Sequence, residues 1–135
     1  MHFIAGIDRL HQMLQWIEEQ LQSMGLEPAR LPKVTLASEE ALVNIFNHAY
    51  QGRPEKVEIL VNFFPESHIE ITFKDYGPPF NPLDVQCIDL DRSIDEREIG
   101  GLGIHFMRKC VDEIRYARVE DKNVLVFVIR FSQKR

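Results

Sequence analysis

Cysteine, net positive charge and long apolar runs are all scarce in this 135-residue chain. The two cysteines, Cys87 and Cys110, sit in unrelated contexts and form neither a CxxC pair nor a disulfide framework, which predicts two reduced thiols. With 16 Lys and Arg against 21 Asp and Glu, the formal charge is −5. That balance excludes a protein that grips nucleic acid by displacing phosphate counterions. No apolar run approaches the ~18 residues of a membrane span. The opening residues Met1 to Gly6 are too short and uncharged for a secretory signal. No internal repeat or linker-like stretch interrupts the chain. The expectation is a cytoplasmic protein with neither a membrane nor a nucleic-acid partner.

What is present is apolar content enough for one sizeable core, 44%, so a single domain over residues 1–135 is expected. Ile7, Leu10, Leu14, Ile17, Leu21 and Met24 alternate at intervals of three and four, predicting a first helix that stops at Gly25. The same stripe has coiled-coil spacing over too few heptads, which leaves a homodimer contact as a second reading beside packing on a sheet. From Val34 to Tyr50 no breaker occurs, predicting a second helix closed by Gly52 and Pro54. Alternation over Val57–Phe64 and Ile69–Phe73, around Pro65-Glu66-Ser67, predicts a β-hairpin. Residues 76–103 hold three prolines and an acidic run with little periodicity, predicting a long, mobile loop of the kind that usually carries function. Helical spacing returns from Ile104. A second hairpin is expected over Arg115–Glu120 and Val124–Phe131, turned at Asp121-Lys-Asn123. The order α, α, β, β, loop, α, β, β predicts an α+β two-layer sandwich, its helices segregated on one face of the sheet.

Three segments carry chemistry. On the second helix, Glu40, Asn44, Asn47 and His48 fall at i, i+4, i+7 and i+8, a narrow polar stripe on an otherwise apolar helix. Buried without partners, such groups cost about 1–3 kcal/mol each, so either a ligand meets them or they form a solvated face. The Asn44 carbonyl oxygen suits Mg²⁺, which takes few protein oxygens alongside phosphates and water. Glu40 could serve as a general base near a γ-phosphate. Asp75 follows a strand and precedes the sharp Gly77-Pro78-Pro79 turn, where a carboxylate can accept from an exocyclic amino group. An ordinary Asx turn is the alternative. Gly100, Gly101 and Gly103 precede the helix at Ile104, which leaves backbone N–H groups open to phosphate or marks a hinge. A helix terminus supplies at most ~2 kcal/mol where micromolar affinity needs about 8, so metal and base contacts must supply the rest.

In this order, Glu-x-x-x-Asn-x-x-x-His-Ala-Tyr, Asp-x-Gly-x-Pro-Phe-Asn-Pro and Gly-Gly-Leu-Gly-Ile resemble the motifs of the GHKL (histidine kinase-like) ATPases. Val111-Asp112-Glu113 with Tyr116 is similar to a stretch of the single-domain anti-sigma factor serine kinases. The resemblance implies a Bergerat-type fold with a mixed, mainly antiparallel sheet, binding ATP or ADP with Mg²⁺. It implies Glu40 as catalytic base, Asn44 as the Mg²⁺ ligand, with Asn47 and His48 in the same nucleotide motif. Asp75 would contact adenine, Gly77 and Pro79 would belong to the turn beneath the base, and Gly101, Leu102, Gly103 and Ile104 would meet phosphate. Residues 81–99 correspond to an ATP lid stiffened by Pro82, from which Arg97 or Arg92 would reach the γ-phosphate. Only Met1–Gly6 precede the first helix, so the family's usual first edge strand is expected to be truncated or missing.

The implied activity is a serine/threonine kinase that phosphorylates a small antagonist (anti-anti-sigma) protein, sequesters a sigma factor or similar regulator, and so regulates transcription. The alternative is a non-catalytic, ATP-gated binding module. A histidine kinase ATPase half fits less well, because no dimerisation and phosphoacceptor domain precedes the first helix and His48 lies inside the nucleotide motif.

Overall fold

The computed structural model describes residues 2–5, 9–49, 55–84 and 101–131, without the side chains of 2–5, 48, 49, 55, 84 and 101–105. A short strand β1 (His2–Ala5) leads to α1 (Leu10–Ser23) and α2 (Leu31–Asn44), which runs on into a π-helical turn (Ile45–Ala49). The hairpin β2 (Glu55–Phe64) and β3 (His68–Asp75) follows, then a 3₁₀ turn (Pro82–Asp84), α3 (Gly101–Cys110) and the hairpin β4 (Glu113–Val119) and β5 (Lys122–Arg130). The strands form one sheet in the order β1-β2-β3-β5-β4, every pairing antiparallel. This is the α+β sandwich expected, with the mainly antiparallel sheet wholly so among the described residues.

The first edge strand, expected to be truncated or missing, is present and short. His2–Ala5 pairs antiparallel with Glu55–Glu58, so four residues before α1 suffice for a short strand at an edge that has only one neighbour to satisfy. Alternation was the wrong signal for it, because four residues offer too little pattern to read.

Period-two burial orders the sheet. Val57 and Ile59 of β2, Ile69, Ile71 and Phe73 of β3, and Leu125, Phe127 and Ile129 of β5 are buried on the helix side, where Phe73 and Phe127 meet edge to face. On α1 the buried line is Met13, Ile17 and Leu21, while Leu10, Leu14 and Met24 pack partly against it. The expected stripe is thus shifted in rotation rather than misplaced. α1 ends on a Schellman motif: Leu26 N–H donates to Leu21 O and Gly25 N–H to Gln22 O, both at 3.1 Å, with Gly25 at φ 84°. Buried Leu26 joins Leu21 in the core as that motif favours.

α2 begins at Leu31, three residues before the expected start, with Pro32 in its first turn where a missing N–H costs nothing. Its N-terminal end is pinned to the sheet: Asp112 Oδ2 accepts from Arg30 at 2.9 Å and from the Arg130 backbone N–H at 2.6 Å. Burial works to raise the Asp112 pKa, but the donors from Arg30 and Arg130 outweigh it and hold the carboxyl below its ordinary value.

Candidate functional site

Four segments meet in one cleft, lined by Ala41, Asn44 and Ile45 from α2 and its extension, Asp75 from the end of β3, Phe80 and Pro82 beyond it, and Tyr116, Asn123 and Leu125 from the last hairpin. Two of the expected residues, Asn44 and Asp75, are therefore brought together from positions 31 apart in sequence.

The floor of the cleft is a polar network in an apolar setting. Asp75 and Asn123 are Cα partners in the β3–β5 ladder and are 5% and 3% exposed. Asn123 Nδ2 donates to Asp75 Oδ1 at 2.9 Å, and Gly77 N–H donates to the same oxygen at 3.0 Å. The other carboxylate oxygen, Oδ2, receives no hydrogen bond among the described residues. Burial raises the Asp75 pKa above the ordinary value, opposed by the Asn123 and Gly77 donors and by the charge of Arg118. A buried carboxylate with one oxygen fixed and one unsatisfied is a costly arrangement that a donor from a ligand would relieve.

Asn123 also organises the turn after β3. Its Nδ2 reaches Pro78 O at 2.9 Å, its Oδ1 accepts from Phe80 N–H at 3.1 Å, and the Tyr116 hydroxyl donates to that same oxygen. Arg118 Nη1 holds Gly77 O at 2.8 Å. These bonds set Phe80 and Pro82 against the cleft, while Pro79, a member of the expected motif, is exposed on the turn. At the rim, Lys122 Nζ lies 5.4 Å from the Tyr76 ring centroid. Asn81 Oδ1 accepts from Leu83 N–H at 2.9 Å, forming the 3₁₀ turn at Pro82 where the expected lid begins.

Glu40 lies one turn before Asn44 on α2 and is half-buried. Burial, then the neighbouring charge of Glu39, raises its carboxyl above the ordinary glutamate value. The i, i+4 relation therefore holds for Glu40 and Asn44, both within α2. It does not extend to Asn47 and His48, because the helix widens into a π turn at Ile45 and the 3.6-residue period no longer applies. Asn47 is exposed, and the His48 side chain lies outside the described residues. The glycine segment sits one turn differently from expectation: α3 starts at Gly101, so Gly101, Leu102, Gly103 and Ile104 form its first turn rather than leading into it. Arg92, Arg97 and Cys87 lie outside the described residues, as does the expected lid from position 85 onward.

The sequence reading missed Asn123, assigning it to a turn. It is the first inward position of β5, in phase with Leu125, Phe127 and Ile129. A polar residue at an inward phase of a strand was the signal that could have found it.

Among the described residues no cluster of three His, Cys, Asp or Glu could hold a metal alone. Asn44 lines the cleft with a neutral amide side chain, whose oxygen is of the kind that Mg²⁺ accepts alongside phosphates and water. Among the same residues no helix is long and apolar enough to cross a membrane.

A family model for the histidine kinase-like ATPase domain matches residues 3–129. A serine/threonine-protein kinase, BtrW, of Bordetella bronchiseptica is 29% identical over 93 residues, covering 68% of this chain and 65% of that protein. A serine-protein kinase, RsbW, of Bacillus licheniformis is 28% identical over 116 residues, 82% of this chain and 71% of its own. An anti-sigma F factor of Bacillus cytotoxicus is 24% identical over 101 residues, 75% and 69% of the two chains. The aligned region spans about two thirds of the length of these relatives. In fold, the chain is similar to the histidine kinase AdeS of Acinetobacter baumannii, with a TM-score of 0.55 at 11% identity over 98% of this chain and 68% of the other.

Proposed function

The chain belongs to the histidine kinase-like ATPase domain family, and from that premise we propose that it is a cytoplasmic, Mg²⁺-ATP-dependent serine/threonine protein kinase of the anti-sigma factor type. It phosphorylates a serine of a small antagonist protein and, in its other binding state, sequesters a sigma factor or similar regulator of transcription. The observation that carries the nucleotide reading is Asp75: buried, fixed at Oδ1 by Asn123 and Gly77, without a donor on Oδ2 among the described residues, and lining the cleft that Asn44 also lines.

In this reading Asp75 Oδ2 accepts a hydrogen bond from the exocyclic amine of adenine, which guanine, with a carbonyl at that position, cannot donate. Phe80, Pro82 and Leu125 supply the apolar surface that covers the base. The Asn44 oxygen is the protein's ligand to Mg²⁺, and the first-turn N–H groups of α3 donate to phosphate oxygens at a helix N-terminus. Bound Mg²⁺-ATP supplies the transferable γ-phosphoryl group. Glu40 takes the proton from the attacking hydroxyl, and its raised pKa makes it a better base near neutral pH than an ordinary glutamate. A basic residue of segment 81–99, Arg97 or Arg92, meets the γ-phosphate. Phosphoryl transfer needs little covalent work from the protein, so positioning and charge account for most of the rate.

The relatives named as serine kinases support the transfer step, and the one named an anti-sigma factor supports the partner class. The test is incubation with γ-labelled ATP, Mg²⁺ and a candidate antagonist protein, comparing wild type with Glu40→Gln. Label on a partner serine that the substitution reduces ~10²–10⁴-fold supports the kinase. ATP binding with no label transferred, and partner affinity set by nucleotide alone, supports the non-catalytic ATP-gated module instead.

A further inference from the structure

Outside the cleft, one part of the helical layer sets exposed apolar side chains beside basic ones. α2 packs against α3, and Arg30, the residue before α2, donates at 2.9 Å to Asp112, two residues past the end of α3. The two helices therefore run antiparallel. Leu36 lies six residues on from Arg30 and Phe106 six residues back from Asp112, which sets them at about the same height along the two helices, roughly 9 Å from that bond. Both are large and apolar, yet Leu36 is 47% and Phe106 38% exposed. Arg108 and Lys109 are exposed in the last turn of α3. In a chain of net charge −5, Lys33 and Lys109 each stand three residues from one of these apolar side chains, on its face of the helix. Glu40 follows Leu36 by four residues, so it lies on the same stripe, about 6 Å further along.

Resting on the reading of Glu40 as the base facing the accepting hydroxyl, we propose that this ridge docks the protein substrate. The occupant is an acidic, amphipathic segment whose apolar side chain covers Leu36 and Phe106 and whose carboxylates meet Lys33 and Lys109, about 10 Å from the hydroxyl presented at Glu40. Charge complementarity favours this occupant over a basic one, and continuity with Glu40 gives the surface a use that a general binding patch would lack. The ridge selects which hydroxyl is phosphorylated, while the cleft handles the nucleotide.

The test uses fluorescence anisotropy with two helical serine peptides. One carries leucine four and aspartate seven and eight residues from the serine; the other has asparagine at the aspartate positions. The aspartate peptide should bind wild type about tenfold more tightly than the asparagine peptide, and lose that advantage as salt rises. Phe106→Ala and Lys33→Glu should each weaken it about fivefold or more, while a fluorescent ATP analogue binds both variants as it binds wild type. A lysine version of the peptide should bind Lys33→Glu better than wild type, a reversal that a merely structural role of Lys33 would not produce. Equal binding of the two peptides, or indifference to both substitutions, overturns the docking surface. Patch-dependent binding without label transfer to serine leaves docking intact and removes the kinase. Label transfer indifferent to Lys33 and Phe106 does the opposite.

Discussion

Asn123 and Asp75 face each other across the β3–β5 ladder, and the Asn123 amide donates to Asp75 Oδ1 at 2.9 Å. The same amide group also accepts from Phe80 N–H and donates to Pro78 O. One side chain thus fixes both the candidate adenine contact and the turn that covers it. Asn123→Leu removes these bonds while keeping the volume, and leaves a buried carboxylate short of a donor. It should destabilise the fold by about 1–3 kcal/mol in urea denaturation. ATP affinity should fall together with stability, because the turn is no longer held.

Asp75 itself should show the opposite sign. Its folded pKa is raised, chiefly by burial, so the stability linked to its protonation is present below the ordinary aspartate value of about 3.9 and is lost as pH rises through the folded value. At neutral pH the ionised carboxylate is a burden on the folded state. Asp75→Asn keeps an acceptor for Gly77 N–H and removes that burden, so its stability relative to wild type should increase as pH rises from the ordinary aspartate value, about 3.9, through the raised folded value. The same variant should lose discrimination between ATP and GTP. A stability difference that is flat with pH would show that Asp75 is not desolvated as described.

How far the sequence was legible follows the strength of each local pattern. α1, α2 and both hairpins were readable because their apolar periods run over many residues, as in Ile69, Ile71 and Phe73 or Leu125, Phe127 and Ile129. β1 was not, since four edge residues make no pattern. Asn44 and Asp75, one from each of the first two motifs, both line one cleft, although neither motif alone points to the other. Asn123 and Tyr116 escaped because their importance is non-local: it comes from ladder register, which places residue 123 opposite residue 75. The π turn at Ile45 escaped for a related reason, since no residue type marks it and only the fold shows that the period changes after Asn44.

Glu40 and Asn44, one turn apart, should separate kinetically. With the Glu40 pKa raised by burial and by Glu39, a base mechanism predicts a transfer rate that climbs with pH through a value above that of an ordinary glutamate, about 4.3. Glu40→Gln should abolish that limb and retain ATP binding. Asn44→Ala should instead weaken Mg²⁺-dependent nucleotide binding, seen by calorimetry with and without the ion. Tight, Mg²⁺-dependent binding by Asn44→Ala would remove Asn44 from the metal.

Gly25 makes a prediction about stability alone. It sits at φ 84° as the left-handed residue of the motif that ends α1, and a Cβ there would meet nothing within 4 Å. The whole cost of Gly25→Ala is therefore backbone strain, about 1 kcal/mol by thermal or urea unfolding, with no effect on nucleotide affinity. A larger loss would require a packing role that the open space around Gly25 does not provide.

The most direct test of the kinase account is the ratio of phosphoserine formed on a candidate antagonist protein to ADP released, measured in one reaction with Mg²⁺-ATP. The account predicts close to one phosphoserine per ADP, with both falling together in Glu40→Gln. ADP released without phosphoserine, or partner binding that responds to ATP with neither product formed, would contradict it.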